Sequence, residues 1–419
     1  MLTRALRAAA TAVGLASALL VSACTGDPQP AATAPGTIAI GLLVPTSGNN
    51  AALGQQATLG AKLAIELVNR DVPAVPLPLP LGPGAGLRDG TKLTLITGNT
   101  EGAPEKVEKE ATRLVDEGAR GLVLADTIDV ALPTGRVTDL LGVSLVDALS
   151  TADTFGDLNR VGHFRIQPSD RRLVTTALDL LYRQRDTPGQ YKRIVTAAGS
   201  PTGPLGDEAN SLKNSIEDLS RAAGYEVAGK NSILPLSGGA AADSAEQVAK
   251  GDAVFAIVTS PAEASAANEL AVKLKGTAPV IAIGPAASAL DGVKSPAALR
   301  AAGWSNEFAG RDPIAQVVGA MYEQAFHTKL TEVAADAFMA TLVLAVAMDQ
   351  SADYSKQAVR NAVQQVTLPA TQTIMPWNGI RFDGNGVNQL AAGVVEQRGP
   401  NGYLVVHPAE LAQNPALTL

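Results

Sequence analysis

One short loop carries the residues best suited to holding a ligand. In GLLVPTSGNNAALG, residues 41–54, an apolar run stops at Pro45, Thr46, Ser47, Gly48, Asn49 and Asn50 follow, and a helical pattern begins at about Leu53. Hydroxyls on Thr46 and Ser47 can donate and accept, and Gly48 lets the backbone approach a ligand closely. Free N–H groups at a helix start, with the positive end of its dipole, favour a carboxylate or another negatively polarised group. The same residue types also build an ordinary turn and helix cap, and on type alone the two readings are equal. Catalytic patterns are missing elsewhere: there is no GxSxG, no GxxxxGK(S/T) and no HExxH. His163, His327 and His407 are the only histidines and share no metal-ligand spacing. His163 lies in VGHFRIQ, an expected strand, where a hydrogen-bonded structural imidazole is the simpler role. GPGAG at 82–86 has no strand leading directly into it and no helix after it, so it is no dinucleotide fingerprint. Binding rather than catalysis is expected, with no metal and no cofactor.

The elements that would position this loop alternate regularly. Apolar runs at 37–44, 91–97, 121–125, 143–146, 193–198, 252–258 and 279–284 read as strands, several continuously apolar as in parallel sheets covered on both faces. Helix-period stripes fall between them at 53–69, 104–117 and 207–223, and again at 312–326, 331–348 and 355–366. Strand–helix–strand repetition implies an α/β fold of parallel sheets with helices on both faces. Two arrays separate, one from 37 to about 165 and one from about 190 to about 285. In an open parallel sheet ligands sit beyond the carboxyl ends of the strands, where strand 37–44 delivers Ser47 and Gly48.

The chain has 419 residues, 46 % hydrophobic and 17 % charged, enough for a sizeable core. A net charge of −7 argues against a nucleic-acid surface. The start, MLTRALR followed by AAATAVGLASALLVSA, is a basic segment and a short apolar run, the pattern of a secretory signal. It ends in VSAC, similar to the bacterial lipobox, and Cys24 is the chain's one cysteine. A signal peptide over 1–23, lipid on Cys24 and a Pro/Ala/Thr-rich tether over 24–36 are expected, placing the protein on the extracytoplasmic face of the cell membrane. VAADAFMATLVLAVAM, 333–348, is interrupted by Asp336 and reads as a buried core helix, not a membrane span.

IAIGLLVPTSGNNAALGQQATLGAKLAIELVN resembles the opening of bacterial type I periplasmic binding proteins of the branched-chain amino acid (Leu/Ile/Val) ABC-importer class, with a strand, a Pro-x-Ser/Thr-Gly loop and a helix ending in Asn. GVSLVDALSTADTF (142–155), HFRIQPSD (163–170), KRIVTAA with GPLGDEA (192–209), GDAVFAIVTSPAEA (251–264) and GIRFDGNG (379–386) follow in the family's order, over about 37–405. The resemblance implies two doubly wound parallel-sheet lobes joined by three crossovers, near 166, 286 and 376. Lobe 1 would take 37–165 and 287–375, lobe 2 would take 166–286 and 376–405, and 406–419 would be a tail. It implies a cleft that closes on a small ligand, and delivery to an ABC permease and ATPase complex. Carried over position by position, ligand contacts fall on Ser47, Gly48, Leu53, Thr127, Ser150, Thr151 and Leu205. Leu205 stands where the family often has an aromatic. Gly284-Pro285-Ala286 replaces the acid that commonly pairs with a ligand ammonium. The expected ligand is therefore amino-acid-like or a less charged amide or organic acid. The competing expectation is a degenerate binding fold that acts as a sensor or envelope partner without transport.

Overall fold

The computed structural model describes residues 36–70, 85–155, 160–183, 191–199, 206–228, 233–236, 241–292 and 295–412. The expected signal sequence, Cys24, most of the tether, residues 71–84, Leu205 and residues 413–419 lie outside the described residues.

Five strands, β1 (Thr37–Val44), β2 (Lys92–Asn99), β3 (Ala119–Leu124), β4 (Ser144–Asp147) and β5 (His163–Arg165), pair in parallel in the order β2-β1-β3-β4-β5. Their connections include α1 (Ala51–Asn69), α2 (Val107–Asp116) and α3 (Ile128–Leu141). Central β1 is buried from Ile40 to Val44, which is why its sequence is continuously apolar instead of alternating. The order reverses direction between β1 and β3, and such a switch point opens a crevice at the carboxyl edge of the sheet.

The second sheet begins after α4 (Asp170–Arg183). It contains β6 (Arg193–Ala198), β7 (Glu226–Val227), β8 (Leu234–Pro235), β9 (Asp252–Ile257), β10 (Val280–Ile283) and β11 (Ala298–Ala302), with α5 (Asp207–Ala222), α6 (Ala241–Glu246) and α7 (Pro261–Leu274) between them. From β11 through β10, β9 and β6 to β7 every pairing is parallel, and β8 also pairs with β6. Here the switch point lies between β6 and β9. The chain then runs through α8 (Asn306–Ala309), α9 (Pro313–Phe326), α10 (Glu332–Gln350) and α11 (Lys356–Gln365), the short antiparallel pair β12 (Thr367–Pro369) and β13 (Gly379–Arg381), and the strands β14 (Val394–Gly399) and β15 (Gly402–His407). β14 and β15 extend the second sheet antiparallel from β11.

α10 is buried on all sides from Ala334 to Met348, as its unbroken apolar sequence requires. It packs on α1, where Gly60 lies so close to the Ala334 carbonyl that an added Cβ would sit 2.0 Å from that oxygen. No described helix is long and apolar enough to cross a membrane.

Two of the expected crossovers move. β11 belongs to the second sheet, whereas Trp304 and Met375, Trp377, Ile380, Phe382 and Ala391 pack in the core of the first. The chain therefore changes sheets at about 303–305 and about 391–394, not near 286 and 376, and the tail expected from 406 begins inside β15. The physical cause is β11 itself. Ala-Leu-Arg-Ala-Ala carries no strand signal, and Arg300 becomes tolerable in the interior because Glu396 of β14, held by the Ser305 hydroxyl at 2.6 Å, pairs with it and the Tyr403 ring stacks against it.

Candidate functional site

The carboxyl edges of both sheets face one cavity of about 300 Å³. The first sheet contributes Leu53 at the start of α1, Asp126 to Asp129 beyond β3, and Leu149 and Ser150 beyond β4. The second contributes Gly206, Glu208 and Ala209 at the head of α5, Thr259 beyond β9 and Pro285 beyond β10. Every contribution follows a strand end or opens the next helix, as the crevice rule for doubly wound sheets demands. The volume lies at the small end of ligand pockets.

Of the residues singled out in the sequence, Leu53, Thr127 and Ser150 line this cavity together. Thr151 lies beside them, and its hydroxyl crosses from the first lobe to donate to Glu208 Oε1 at 2.8 Å. Ser47 and Gly48 are exposed and outside the cavity wall. Asn99 at the end of β2 holds their loop: its Oδ1 accepts from the Thr46 N–H at 2.8 Å, and its Nδ2 donates to Ser47 Oγ at 2.9 Å. Gly48 has a left-handed φ of 82°, which suits the turn between β1 and α1. His163 is buried, with Nε2 3.2 Å from Asp147 Oδ2.

Beneath Thr151 the two lobes meet through a dense polar network. The Thr151 carbonyl accepts from the Asp170 N–H at 2.8 Å, and the Ser211 hydroxyl donates to Asp170 Oδ2 at 2.6 Å. Asp153 joins α5 from the other lobe: its N–H donates to Ser211 Oγ at 3.3 Å and its Oδ2 accepts from the Ser215 hydroxyl at 3.0 Å. Arg165 donates to the Thr151 carbonyl at 3.1 Å and to the Ala152 carbonyl.

These environments separate the carboxyl groups. Burial, and then the charge of Asp170, pushes Glu208 up to about 8. Burial likewise raises Asp170 to about 6, and it raises Asp126 against the hydrogen bond from the Thr100 hydroxyl. Asp147 moves the other way: burial is the largest single influence and opposes its charge, but the hydrogen bond and charge of His163 and the hydrogen bonds from Ser150 together outweigh it and hold it below the ordinary range.

Glu208 is the residue that sequence reasoning passed over. In GDEAN an acid in the first turn of a helix reads as a dipole complement on a solvated face. Only the approach of Thr151 from the opposite lobe turns it into a wall of the cavity. Asp126 carried a stronger signal, standing in LADTID directly beyond a buried strand, and it is 2 % exposed.

A sequence profile of the family described as Periplasmic binding protein matches residues 37–400. A curated relative, Leu/Ile/Val-binding protein homolog 3 of Brucella melitensis biotype 1, is 30 % identical over 114 residues. That match spans 27 % of this chain and 27 % of the relative's length. Among solved structures, an ABC transporter substrate-binding protein from Desulfitobacterium hafniense, in complex with Leu, is 19 % identical with a TM-score of 0.68, over 88 % of this chain and 99 % of that one. A solute-binding protein of an ABC transporter from R. palustris, in complex with benzoate, is 15 % identical with a TM-score of 0.64, over 88 % and 95 % of the two chains.

Proposed function

Because this chain belongs to the periplasmic binding protein family, we propose that it captures a small solute between its two lobes and delivers it to an ABC permease with its ATPases. Proteins of this family bind solutes and are not enzymes. The observation that carries the reading is the cavity itself, which both sheets line with the loops beyond their strand ends and beside which the Thr151–Glu208 hydrogen bond joins the two lobes. Leu53, Thr127, Ser150 and Thr151 contact the solute from the first lobe. Hydroxyls beside apolar walls suit an amino-acid-like compound or a less charged amide or organic acid, and the similar folds carry Leu in one case and benzoate in the other. Lipid on Cys24 keeps the protein on the extracytoplasmic face of the membrane, close to the permease.

A thermal-shift screen of the purified protein against amino acids, their amides, short organic acids, sugars and nucleosides tests this. Solute at about 100 times its dissociation constant stabilises a one-site protein by roughly 2.7 kcal/mol, which raises the midpoint by a few degrees. A response confined to one chemical class supports capture. Silence toward every class, together with a stable protein partner found by crosslinking, supports the sensor or envelope-partner role instead.

A further inference from the structure

Three of the chain's own carboxylates already occupy several of the N–H groups that the cleft loops would otherwise offer to an anion. Asp126 Oδ1 accepts from the Thr127 N–H at 2.7 Å, at the head of α3. Asp147 Oδ1 accepts from the N–H groups of Leu149 and Ser150, each at 3.1 Å. Glu263 Oε2 accepts from the Thr259 N–H at 2.7 Å, the Thr259 hydroxyl at 2.8 Å and the Ser260 N–H at 3.1 Å. The first turns of α3 and α5 keep further N–H groups, but each turn also holds an acid on the cavity wall, Asp129 and Glu208. Below the wall, Arg165 is one guanidinium among Asp147, Asp153, Asp170 and Glu208.

No described residue on the wall is Lys, Arg or His, and residues 200–205, Ser-Pro-Thr-Gly-Pro-Leu, bring none into the sequence before Gly206. Glu208 Oε1 accepts from Thr151. Ser150 stands on the opposite lobe's side of the same cavity, 4 % exposed.

We propose that Glu208 is the counter-ion for a protonated amine on the solute, so that the cavity takes a compact amine or amino amide in preference to a carboxylic acid. The assignment rests on the solute-binding reading above. An ammonium at Glu208 meets an acid that shares its neighbouring guanidinium, Arg165, with three aspartates, whereas an entering carboxylate meets acids on the wall and loops where carboxylates already take N–H groups. Ser150 Oγ can accept from the same ammonium or donate to an amide carbonyl. Leu53, Ile128, Leu149, Ala209 and Pro285 set the apolar body of the solute. Its size is bounded by a cavity of about 300 Å³, equal to roughly ten water volumes.

Calorimetric titration of the purified protein with 3-methylbutylamine, leucinamide, 3-methylbutanoate and benzoate tests the assignment. Both amines should bind, and both acids should bind at least roughly tenfold more weakly. Glu208→Gln should weaken amine binding roughly ten- to hundred-fold, the range of a lost charge-assisted hydrogen bond. Glu208→Asp, which keeps the charge should Gln disturb the wall, should retain the preference for amines. Tighter binding of either acid than of both amines overturns the assignment and leaves solute capture standing. So does amine binding that is unchanged in Glu208→Gln. Silence toward all four probes while the wider solute panel still yields a ligand removes the assignment alone, and silence toward the whole panel removes both.

Discussion

Raising the pH from about 5 to about 8 should weaken the unliganded protein through Glu208, and Glu208→Gln should remove that share of the loss. Burial first, and the charge of Asp170 second, lift this carboxyl from 4.5 to about 8. Between those values the folded chain keeps a proton that the unfolded chain has released, so the folded state binds more protons and stability falls as pH rises. Above about 8 the side chain is ionised in both states and the difference stays constant. At about 1.4 kcal/mol per unit the full gap is worth on the order of 5 kcal/mol, and local opening of the cleft, which rehydrates the carboxylate, limits the expressed loss to roughly 1–3 kcal/mol. Asp170, raised to about 6, acts with the same sign between 3.8 and 6, while Asp147, held low, acts with the opposite sign below 3.8. Both remain in the variant, so the difference between the two proteins reports Glu208 together with its interaction with Asp170. Urea midpoints across this pH range, at constant m, give the comparison. Parallel curves for the two proteins would refute the burial of Glu208 against Thr151 on which the cleft description depends.

Two further outcomes follow from packing and from the chain's start. Gly60→Ala places a Cβ 2.0 Å from the Ala334 carbonyl oxygen and 2.8 Å from its carbon, so α1 must back away from α10. Overpacking costs about 1–3 kcal/mol, of which the gain in helix propensity returns about 1 kcal/mol, and a lower melting temperature is expected; an unchanged or higher one contradicts that contact. Cys24→Ser should move the protein from the membrane fraction to the soluble fraction on cell fractionation, and a variant that stays with the membrane contradicts the lipid anchor.

Much of the scaffold was legible because parallel strands and amphipathic helices leave different periods in the sequence. TIAIGLLV and RIVTAA match β1 and β6 at both ends, and α9 and α10 begin and end within two residues of their expected bounds. α3 was missed because Pro133 and Gly135 break its pattern, although the fold accommodates both inside one helix. β11 was missed because its pairing depends on Glu396, almost a hundred residues away. The site shows the same division. Thr127 and Ser150 follow strand ends, and topology alone puts them at the crevice. Whether Ser47 faces the cavity is decided by Asn99, and whether Glu208 is a wall or a solvated acid is decided by the other lobe. Neither partner is close in sequence.

The central claim is that a solute sits between the lobes in this one cavity. Leu53, half-buried at the mouth in the first turn of α1, allows a direct test, because a larger side chain there blocks the cavity without entering the core. The melting temperature of wild type and Leu53→Trp should be measured with and without the solute that gives the largest shift. Nearly equal melting temperatures are expected without solute, with a shift that disappears in Leu53→Trp. A full shift that survives in Leu53→Trp would place the ligand elsewhere and contradict the account.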